Sequence, residues 1–481
     1  MSEDKNFETK PTQPKASCSG SFGIKGSIVF FILLLFLFLH VFLSAAVPAV
    51  YVANRDSHNI SVIDTTTNTV IATITPTYLV GGAPQVLAIT PDGTKVYVGN
   101  GPDETVSVID TATNTIIATV AIVLGDFPDA FAITPDSTRV YVENGFSDNV
   151  SVIDTTTNTA IALIPVGALG TLPQFLVVTP NGARVYVVNQ NSNNVSVIDT
   201  TTNTVITTVT VGAGPIPIAS TPNGAKVYVG NFNDGTVSVI NTATNTSIAT
   251  VGIGSSPVAI AITPDGTRVY VVDRGGLDVA VIDVATNTVI ATVGVGALPE
   301  ALTITPDGSR VYVANVNSGN VSVISVATNT VIATIPVGTL TGSTHRFNAI
   351  LSDNARVYVA NRGSSNLSVI DTATNTVIAT VTVGAFPLSI ALTPKPLIIT
   401  AAVKHARGFG IRFTYYQLSW NAFPGASFYK IFRNGVLLSQ DTHATHYLDT
   451  AIDPSQVYIY DVVAYSSNAQ ISSGQVHVGP S

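Results

Sequence analysis

Short runs of Val, Ile, Tyr and Thr recur along most of the chain, separated by turns rich in Asp, Gly, Asn and Thr. Such runs are typical of β-strands, and the apolar spacing of an amphipathic helix is absent. One phrase, VYVANRxSxNxSVIDTxTNTVIATI, is nearly complete at 50–74 and again at 357–381, with shorter copies between them. The pattern therefore predicts an all-β repeat protein.

The tyrosine of VYV sets the register of the repeat. It occurs at intervals of 42 to 46 residues, at Tyr51, Tyr97, Tyr141, Tyr186, Tyr228, Tyr270, Tyr312 and Tyr358. Each copy carries four strand-like runs, of the AITPDG, VYV, SVID and TVIATV types. Four short strands in a unit of this length are typical of a propeller blade. We therefore predict a β-propeller of four-stranded blades, and the count favours eight of them.

The first and last copies are complementary. The first copy lacks the ITP-type run, and an unpaired run of that type follows the last copy at 385–394. We expect this run to pair with the first copy, because the pairing would close the ring and remove two exposed edge strands.

The first 46 residues have a different composition. Residues 1–26 are polar, Ile28–Leu43 is almost unbroken apolar sequence, and Ser44-Ala45-Ala46 follows. The apolar run is shorter than the roughly 20 residues of a membrane span, which favours a cleaved signal peptide over an uncleaved anchor. Either reading predicts an exported protein, extracellular, periplasmic or at the cell surface, that meets the membrane only through this segment.

The composition changes again near residue 397. Residues 397–481 contain the only Trp, and runs such as QLSWNAF and VYIYDVVAYS replace the repeat. These runs predict a small β-sandwich. The predicted domains are thus 1–46, the propeller at 47–396 and the sandwich at 397–481.

Charge and residue chemistry exclude several function classes. Residues 47–396 contain 12 Lys and Arg against 22 Asp and Glu, a net charge near −10, so a basic nucleic-acid surface is absent. The only cysteine, Cys18, lies outside the repeats, and histidine is scarce there. We found no catalytic motif, and the sequence predicts no metal and no cofactor.

The copies differ from one another in only some of their loops. The ITPDGT and DTxTNT turns are nearly constant, and we call their side of the propeller the constant-turn face. The loops after VYV and between copies vary and share the other side, the variable-loop face. Function usually lies on variable loops held by a rigid scaffold. The candidate binding residues there are Arg55, Tyr78, Glu143, Phe146, Phe232, Arg274, Arg346, Phe347 and Arg362; ordinary loop roles are the alternative.

Three repeated polar positions have structural interpretations. The Asp of SVIDT is expected to close a turn by hydrogen bonds from backbone N–H groups, and the Asn after VYV to end its strand in an Asx turn. A base precedes VYV in seven copies, and we expect it to pair with the Asp of its own PDG turn.

The repeats, VYVANRDSHNISVIDTTTNTVIATI with PxxIAITPDGTxVYV, resemble the YVTN family of β-propeller repeats over residues 49–394. That resemblance implies exported or surface-layer-like proteins, and many relatives look seven-bladed, so seven blades is the alternative count. Residues 410–478, with LSWNAFPGASFYKIFRNG, resemble a fibronectin type III domain, which implies spacing, adhesion or a position near glycans. Neither resemblance supplies functional residues.

Two functional hypotheses follow. The first is a non-enzymatic binding or structural protein whose variable loops meet a protein or a glycan. The second is an exported enzyme, lactonase-like or cofactor-dependent, with its site at the channel mouth and with Glu143, Asp273 and Arg274 as its candidates.

Overall fold

The computed structural model describes residues 48–76, 82–122, 127–167, 171–340, 350–394, 399–408, 411–420, 428–434, 436–442, 444–450, 452, 456, 458–466 and 469–478. Thirty-nine strands and two short 3-10 helices, Gly101–Asp103 and Arg362–Ser364, make up this part of the chain. The predicted all-β class is confirmed. None of the helices in these ranges has the length and apolarity that crossing a membrane requires, and the apolar segment 28–43 lies outside the ranges.

The repeats form eight four-stranded antiparallel sheets within the described residues, numbered here along the chain. Sheet 1 contains β1 (Ala49–Asn54), β2 (Asn59–Asp64), β3 (Thr69–Ile74) and β32 (Pro387–Leu392). Sheet 2 contains β4 (Pro84–Ile89), β5 (Lys95–Asn100), β6 (Thr105–Asp110) and β7 (Thr115–Ala121). Sheet 3 contains β8 (Pro128–Ile133), β9 (Arg139–Asn144), β10 (Asn149–Asp154) and β11 (Thr159–Pro165). Sheet 4 contains β12 (Pro173–Val178), β13 (Arg184–Asn189), β14 (Asn194–Asp199) and β15 (Thr204–Thr210).

The remaining four sheets of the repeats follow the same order. Sheet 5 contains β16 (Pro215–Ser220), β17 (Lys226–Asn231), β18 (Thr236–Asn241) and β19 (Thr246–Gly252). Sheet 6 contains β20 (Pro257–Ile262), β21 (Arg268–Asp273), β22 (Asp278–Asp283) and β23 (Thr288–Gly294). Sheet 7 contains β24 (Pro299–Ile304), β25 (Arg310–Asn315), β26 (Asn320–Ser325) and β27 (Thr330–Pro336). Sheet 8 contains β28 (Ile350–Ser352), β29 (Arg356–Asn361), β30 (Asn366–Asp371) and β31 (Thr376–Thr382).

The sheets are arranged in a closed ring. The innermost strand of each sheet contacts the innermost strand of the next, from β4 around to β28, and then through β32 back to β4. In sheet 1 the closing strand pairs antiparallel with the first strand of the chain, with Val50 opposite Leu392 and Val52 opposite Ile390. The predicted closure and the β-propeller fold are confirmed.

Burial differs from strand to strand across each sheet. The two middle strands are almost fully buried because neighbouring sheets cover both of their faces, whereas the outermost strand alternates between exposed and half-buried residues. Between sheets 2 and 3, for example, Tyr97 packs in one cluster with Val142 and Ile153. A wholly buried side chain of this kind contributes about 1.5–3 kcal/mol of transfer free energy, so the stacking of sheets supplies the core.

Polar bonds also join neighbouring sheets at the constant-turn face. In seven sheets the hydroxyl of the VYV tyrosine donates to the side-chain oxygen of an Asn in the DTxTNT turn of the next sheet, at 2.5 to 3.2 Å. These asparagines have φ between 52° and 54°, a left-handed conformation that Asn tolerates better than most residues. At the closing junction, Arg356 donates to Asn68 at 3.2 Å, and the Tyr358 hydroxyl does not.

The predicted role of the base before VYV is wrong. Lys226 Nζ, for example, donates to the Val284 carbonyl at 2.5 Å and to Asn287 Oδ1 at 2.9 Å, both in the turn of the next sheet. The Asp of the PDG turn accepts instead from its own turn, as Asp92 does from Thr90 and Thr94. Because those local hydroxyl and amide donors satisfy the carboxylate, six of the seven basic side chains extend across the junction. Arg184 instead pairs with Asp199 of its own sheet at 2.6 Å.

The predicted turn role of the Asp in SVIDT is confirmed. Asp154 Oδ1, for example, accepts from the backbone N–H groups of Thr156 and Thr157, both at 2.9 Å. The hydrogen bond from Thr157 N, with further ones from this turn, holds the pKa of Asp154 below its usual value even against partial desolvation. Asn241 makes the equivalent bonds in sheet 5.

The C-terminal residues form two further sheets. Their strands are β33 (Ile399–Gly408), β34 (Ile411–Trp420), β35 (Phe428–Arg433), β36 (Val436–Thr442), β37 (His446–Asp449), β38 (Tyr458–Ser466) and β39 (Ala469–Val478). One sheet has the order β33-β34-β37 and the other β36-β35-β38-β39. Tyr416, Trp420 and Tyr460 belong to one buried cluster that joins the two sheets. The predicted boundary between 396 and 397 stays a prediction.

Candidate ligand-binding site

In seven of the eight sheets of the repeats, the second strand ends in Asn where the variable-loop face begins. In sheet 1, Asn54 Nδ2 donates to Asn59 Oδ1 and to Ser61 Oγ, both at 2.9 Å. Equivalent pairs of bonds occur in six more sheets, from Asn100, Asn144, Asn189, Asn231, Asn315 and Asn361. The expected Asx turn is therefore wrong. The Asn side chain instead donates hydrogen bonds across the base of the hairpin, to side chains of the following strand. The loop above it is then free to vary.

A cavity of about 510 Å³ opens among the loops of sheets 1 to 3. Its lining residues are Arg55, Asp56, His58, Ala83, Gln85, Pro102, Phe127, Asp129 and Phe146. Two of the predicted binding residues, Arg55 and Phe146, are among them. The rings of Phe127 and Phe146 meet edge to face at 5.2 Å, and Phe146 is 62% exposed. One wall of the cavity is therefore aromatic.

Arg55 approaches the cavity from sheet 1, where the neighbouring loop fixes its position. The Arg55 N–H donates to the Phe386 carbonyl at 3.1 Å, and the Asp56 N–H donates to the Ala385 carbonyl at 3.2 Å. The guanidinium carbon of Arg55 lies 5.2 Å from the centre of the Phe386 ring, and that of Arg362 lies 5.5 Å from it. Two predicted residues that are far apart in the sequence thus contact one aromatic ring.

The third predicted arginine makes an ion pair. Arg274 Nε lies 3.0 Å from Glu300 Oε1, and the Glu300 side chain is only 7% exposed. Burial lowers the pKa of the Arg362 guanidinium, the charge of Glu300 opposes this, and the positive charge of Arg55 adds to it. Arg274 follows β21 of sheet 6 and Glu300 lies in β24 of sheet 7. Arg362 follows β29 of sheet 8 and Arg55 follows β1 of sheet 1, so these residues lie along one arc of the face.

The other predicted residues are placed differently. Glu143 lies in β9, not in the loop, and is fully buried. At the equivalent position in sheet 2, a Cβ on Gly99 would meet Pro128 at the start of the next sheet, so this position faces the junction between sheets. Phe232 is half-buried and packs against the apolar cluster of sheets 6 and 7. Tyr78, Arg346 and Phe347 lie outside the described residues.

Asp273 replaces the repeated Asn in sheet 6 and holds two loops. Its carboxylate accepts from the N–H groups of Ser255 and Ser256 at 2.9 Å each, and from those of Gly275 and Gly276 at 3.1 Å each. These bonds lower its pKa, although burial acts in the opposite direction as the largest single effect. Its geometry is that of a loop anchor.

The innermost strands line a central channel with a cavity of about 250 Å³. Its lining is mostly apolar, with Val86, Leu176 and Ile260 among its residues and with Asp129 and Glu300 as its carboxylates. Asp129 lines both this channel and the loop cavity, so the two spaces adjoin. Across the described ranges, no three His, Cys, Asp or Glu side chains come together as metal ligands would.

Phe127 and Phe386 were not among the predicted binding residues, although the sequence contains a signal for them. Both residues stand immediately before the proline that opens an innermost strand, where the other copies have Ala, Leu, Gly or Ser. Phe386 has φ of 58°, a strained conformation for a bulky residue. Only a comparison of this position between copies would have singled the two phenylalanines out.

Two protein-family models match parts of the repeat region. A model described as YNCE-like beta-propeller matches residues 210–387, and one described as Lactonase, 7-bladed beta-propeller, matches residues 154–254. Each covers less than half of the chain, and both agree with the propeller fold. No curated protein matches the sequence.

Of two solved structures that resemble this chain, AztD supports the propeller fold. AztD from Citrobacter koseri is 14% identical with a TM-score of 0.57, and the match covers 72% of this chain and 98% of AztD. Hydrazine synthase from Kuenenia stuttgartiensis is 22% identical with a TM-score of 0.49, over 60% of this chain and 96% of the matched one. At these identities the likeness concerns the fold alone.

Proposed function

We propose that this protein is a non-enzymatic binding protein that holds its partner, a protein or a glycan, on the variable-loop face. The observation that carries the proposal is the cavity of about 510 Å³ whose lining includes Arg55 and Phe146. Its volume is in the range of ordinary ligand sites, about 300–1,000 Å³. Arg55 shares its repeat position with Arg274 and Arg362, and no other copy has an aromatic residue at the position of Phe146.

The exposed ring of Phe146 supports this proposal further. A large apolar side chain that is 62% exposed has no role in the core, and exposed aromatic groups rimmed by polar residues mark interaction sites. The scaffold beneath is rigid, because the Asn bonds and the strand pairing are complete below the loops. A rigid ring that carries individual loops is a suitable platform for recognition.

The proposal also assigns a location. The predicted signal segment would place the repeats outside the cytoplasm, at the cell surface or in the periplasm, as the resemblance to YVTN repeats implies. The C-terminal sheets would act as a fibronectin type III-like spacer or second contact. Their strand orders, β33-β34-β37 and β36-β35-β38-β39, support this reading.

A binding screen tests the proposal. The purified full chain is applied to a glycan array and to a displayed peptide library, beside a variant that combines Arg55→Gln with Phe146→Ala. The matched control combines Arg139→Gln with Ile161→Ala. Arg139 is a base of the constant-turn face, and Ile161 lies in β11, the outermost strand of sheet 3, where it is 47% exposed. We expect ligands of the native chain to be lost by the first variant and kept by the control. Ligands that both variants keep would contradict the proposed site.

Lactone hydrolysis is a second candidate, which the lactonase-family match over residues 154–254 favours. Asp129 and Glu300, at the channel, are the carboxylates that such a reaction would use. Incubation of the full chain with a panel of lactones, with acid release measured by titration, tests it. Hydrolysis that Glu300→Gln abolishes would support this candidate, and a rate equal to the protein-free rate for every lactone would reject it.

A further inference from the structure

The basic side chains of the repeats are divided between the two faces. Ten of the twelve Lys and Arg of residues 47–396 lie in the described ranges. The seven that precede VYV belong to the constant-turn face. The other three, Arg55, Arg274 and Arg362, lie on the variable-loop face and follow one arc. Glu300 pairs with Arg274, and Asp56 lies beside Arg55. In a region with a net charge near −10, these three guanidinium groups are the described cations of this face that an anion could meet.

Arg55 is positioned to receive such an anion. Its guanidinium rests on the Phe386 ring at 5.2 Å, and its other contact is Asp56, with Nε 3.6 Å from Oδ1. The side chains of Arg55 and Asp56 are 50% and 54% exposed, so water weakens this pair. When a guanidinium stacks on an aromatic ring, its N–H groups still point outward in the guanidinium plane. Two of them can then donate to the two oxygens of a carboxylate.

Arg362 fixes the direction of the stack. It is only 8% exposed, and its guanidinium lies 5.5 Å from the same ring centre. A buried guanidinium beside Arg55 limits where the Arg55 side chain can move, because the two cations repel each other. Glu300 balances part of this charge. The exposed member of the stack is Arg55, and it lines the cavity.

The opposite wall of the cavity suits a ring-shaped ligand. Phe127 and Phe146 meet edge to face and line the cavity, together with the polar side chains of Gln85, His58, Asp56 and Asp129. Amide, carboxylate and imidazole groups together offer both donors and acceptors, as ligand hydroxyls require. The enclosed volume is that of a small-molecule site, whereas a protein partner needs roughly 800 Å² of surface on each side.

We propose that this cavity binds an acidic saccharide, with the sugar carboxylate on the Arg55 guanidinium and the apolar face of the sugar ring on Phe146. The inference rests on the proposed function and names the ligand class of the same site. Arg362 acts as a positioning residue, since it holds Phe386 and Arg55 and does not line the cavity.

Titration calorimetry of the full chain with trigalacturonate and with its methyl ester tests the proposal. The ester has the same rings without the charges. We expect the acid to bind about tenfold to hundredfold tighter, as hydrogen bonds to charged groups predict, and to weaken when salt rises from about 50 to 500 mM. Arg55→Gln should reduce the affinity for the acid by about tenfold and leave that for the ester unchanged. Arg139→Gln is the matched control and should change neither.

Arg362→Lys serves as the variant for the positioning role, because Arg362→Gln would leave a buried site without its charge. Lysine keeps the charge and loses the planar stack, so the affinity should fall while the circular dichroism spectrum stays native. Equal affinities for acid and ester would overturn the acidic-saccharide inference and leave the proposed function standing. Binding of polyglutamate without binding of either saccharide would overturn it as well. If no saccharide binds, the inference is wrong, and the array and peptide screens decide the proposed function independently.

Discussion

The constant-turn face and the variable-loop face use polar residues in different ways. On the constant-turn face one bond recurs seven times, from a tyrosine hydroxyl to a left-handed Asn of the next sheet. On the variable-loop face each sheet has its own contacts, such as the Arg55–Phe386–Arg362 stack and the Asp273 anchor. Repeated bonds hold neighbouring sheets together, whereas individual contacts position single loops.

The difference shows where a repeat can vary. A residue that bonds to the next sheet is constrained by a partner about 60 residues away, so both must stay the same in every copy. A residue in a loop above the Asn hairpin bonds has a partner that differs from sheet to sheet, such as Phe386 for Arg55 and Glu300 for Arg274. The two faces should therefore respond differently to substitution, with stability affected on one and binding on the other.

The largest effect is expected where the constant-turn face meets the core. Tyr270 is fully buried, and its hydroxyl donates to Asn329 Oδ1 at 2.8 Å. Tyr270→Ala should lower the free energy of unfolding by about 3–5 kcal/mol, as the removal of a buried aromatic ring does. Tyr270→Phe, which removes only the hydroxyl, should cost about 0.5–1.5 kcal/mol. Urea unfolding measures both, and equal losses would show that the bond, and not the packing, dominates.

A smaller effect is expected at the acceptor of the same bond. Asn329 has φ of 53°, a conformation that costs an ordinary residue about 1–2 kcal/mol. Asn329→Ala should lose stability for two reasons, because alanine is strained at this φ and because the hydrogen bond is absent. Asn329→Gly should lose the hydrogen bond alone. The free energies of unfolding should therefore rank native, then Gly, then Ala. If the Gly variant is as unstable as the Ala variant, backbone conformation is not the reason for the repeated Asn.

Much of the fold could be predicted from the sequence, for reasons that particular residues make plain. The spacing of the tyrosines gave the repeat, and the displaced run at 385–394 gave the closure, because β-strands need partners on both sides. The turn role of Asp154 followed from local chemistry, since an Asp two or three residues before free N–H groups closes a turn. Each of these inferences depends either on residues that are close in the chain or on the number and order of the strand-like runs.

The remaining features depend on which sheets become neighbours in space. Lys226 was expected to pair within its own copy, but its partners are in the turn of the next sheet. The shared repeat position of Arg55 and Arg362 was visible in the sequence. Their common partner Phe386 was not, because it belongs to a different loop. The site was therefore found in part, as separate residues without the contact that joins them.

Acid should weaken the constant-turn face, and one substitution should remove part of this response. The pKa of Asp154 is lowered in the folded protein, chiefly by the hydrogen bond from Thr157 N. A lowered folded pKa stabilises the protein above the unfolded value, near pH 4, and this contribution is lost as the pH falls through the folded pKa. Asp199 and Asp371 behave in the same way. The melting temperature should therefore fall on acidification below about pH 4.

Asp154→Asn should keep the turn but lose the stabilisation that the ionised carboxylate gives at neutral pH, and it should therefore depend less on pH. Asn241 supplies the precedent, since its Oδ1 accepts from the Ala243 and Thr244 N–H groups at 2.9 and 3.1 Å. Melting temperatures of the native chain and the variant, measured from pH 7 down to pH 3, should converge as the pH falls. Parallel curves would mean that this carboxylate does not contribute to the acid response.

The smallest effect on stability is expected on the variable-loop face. Phe146 is 62% exposed and touches Phe127 at its edge, so Phe146→Ala should change the free energy of unfolding by less than about 0.5 kcal/mol. Tyr270→Ala is the matched removal of an aromatic ring on the other side of the comparison. A large loss of stability for Phe146→Ala would show that this loop is part of the scaffold, and the division between the two faces would then fail. A negligible loss, combined with lost ligand binding, would mean that the ring is retained at the surface for recognition, because the fold does not require it.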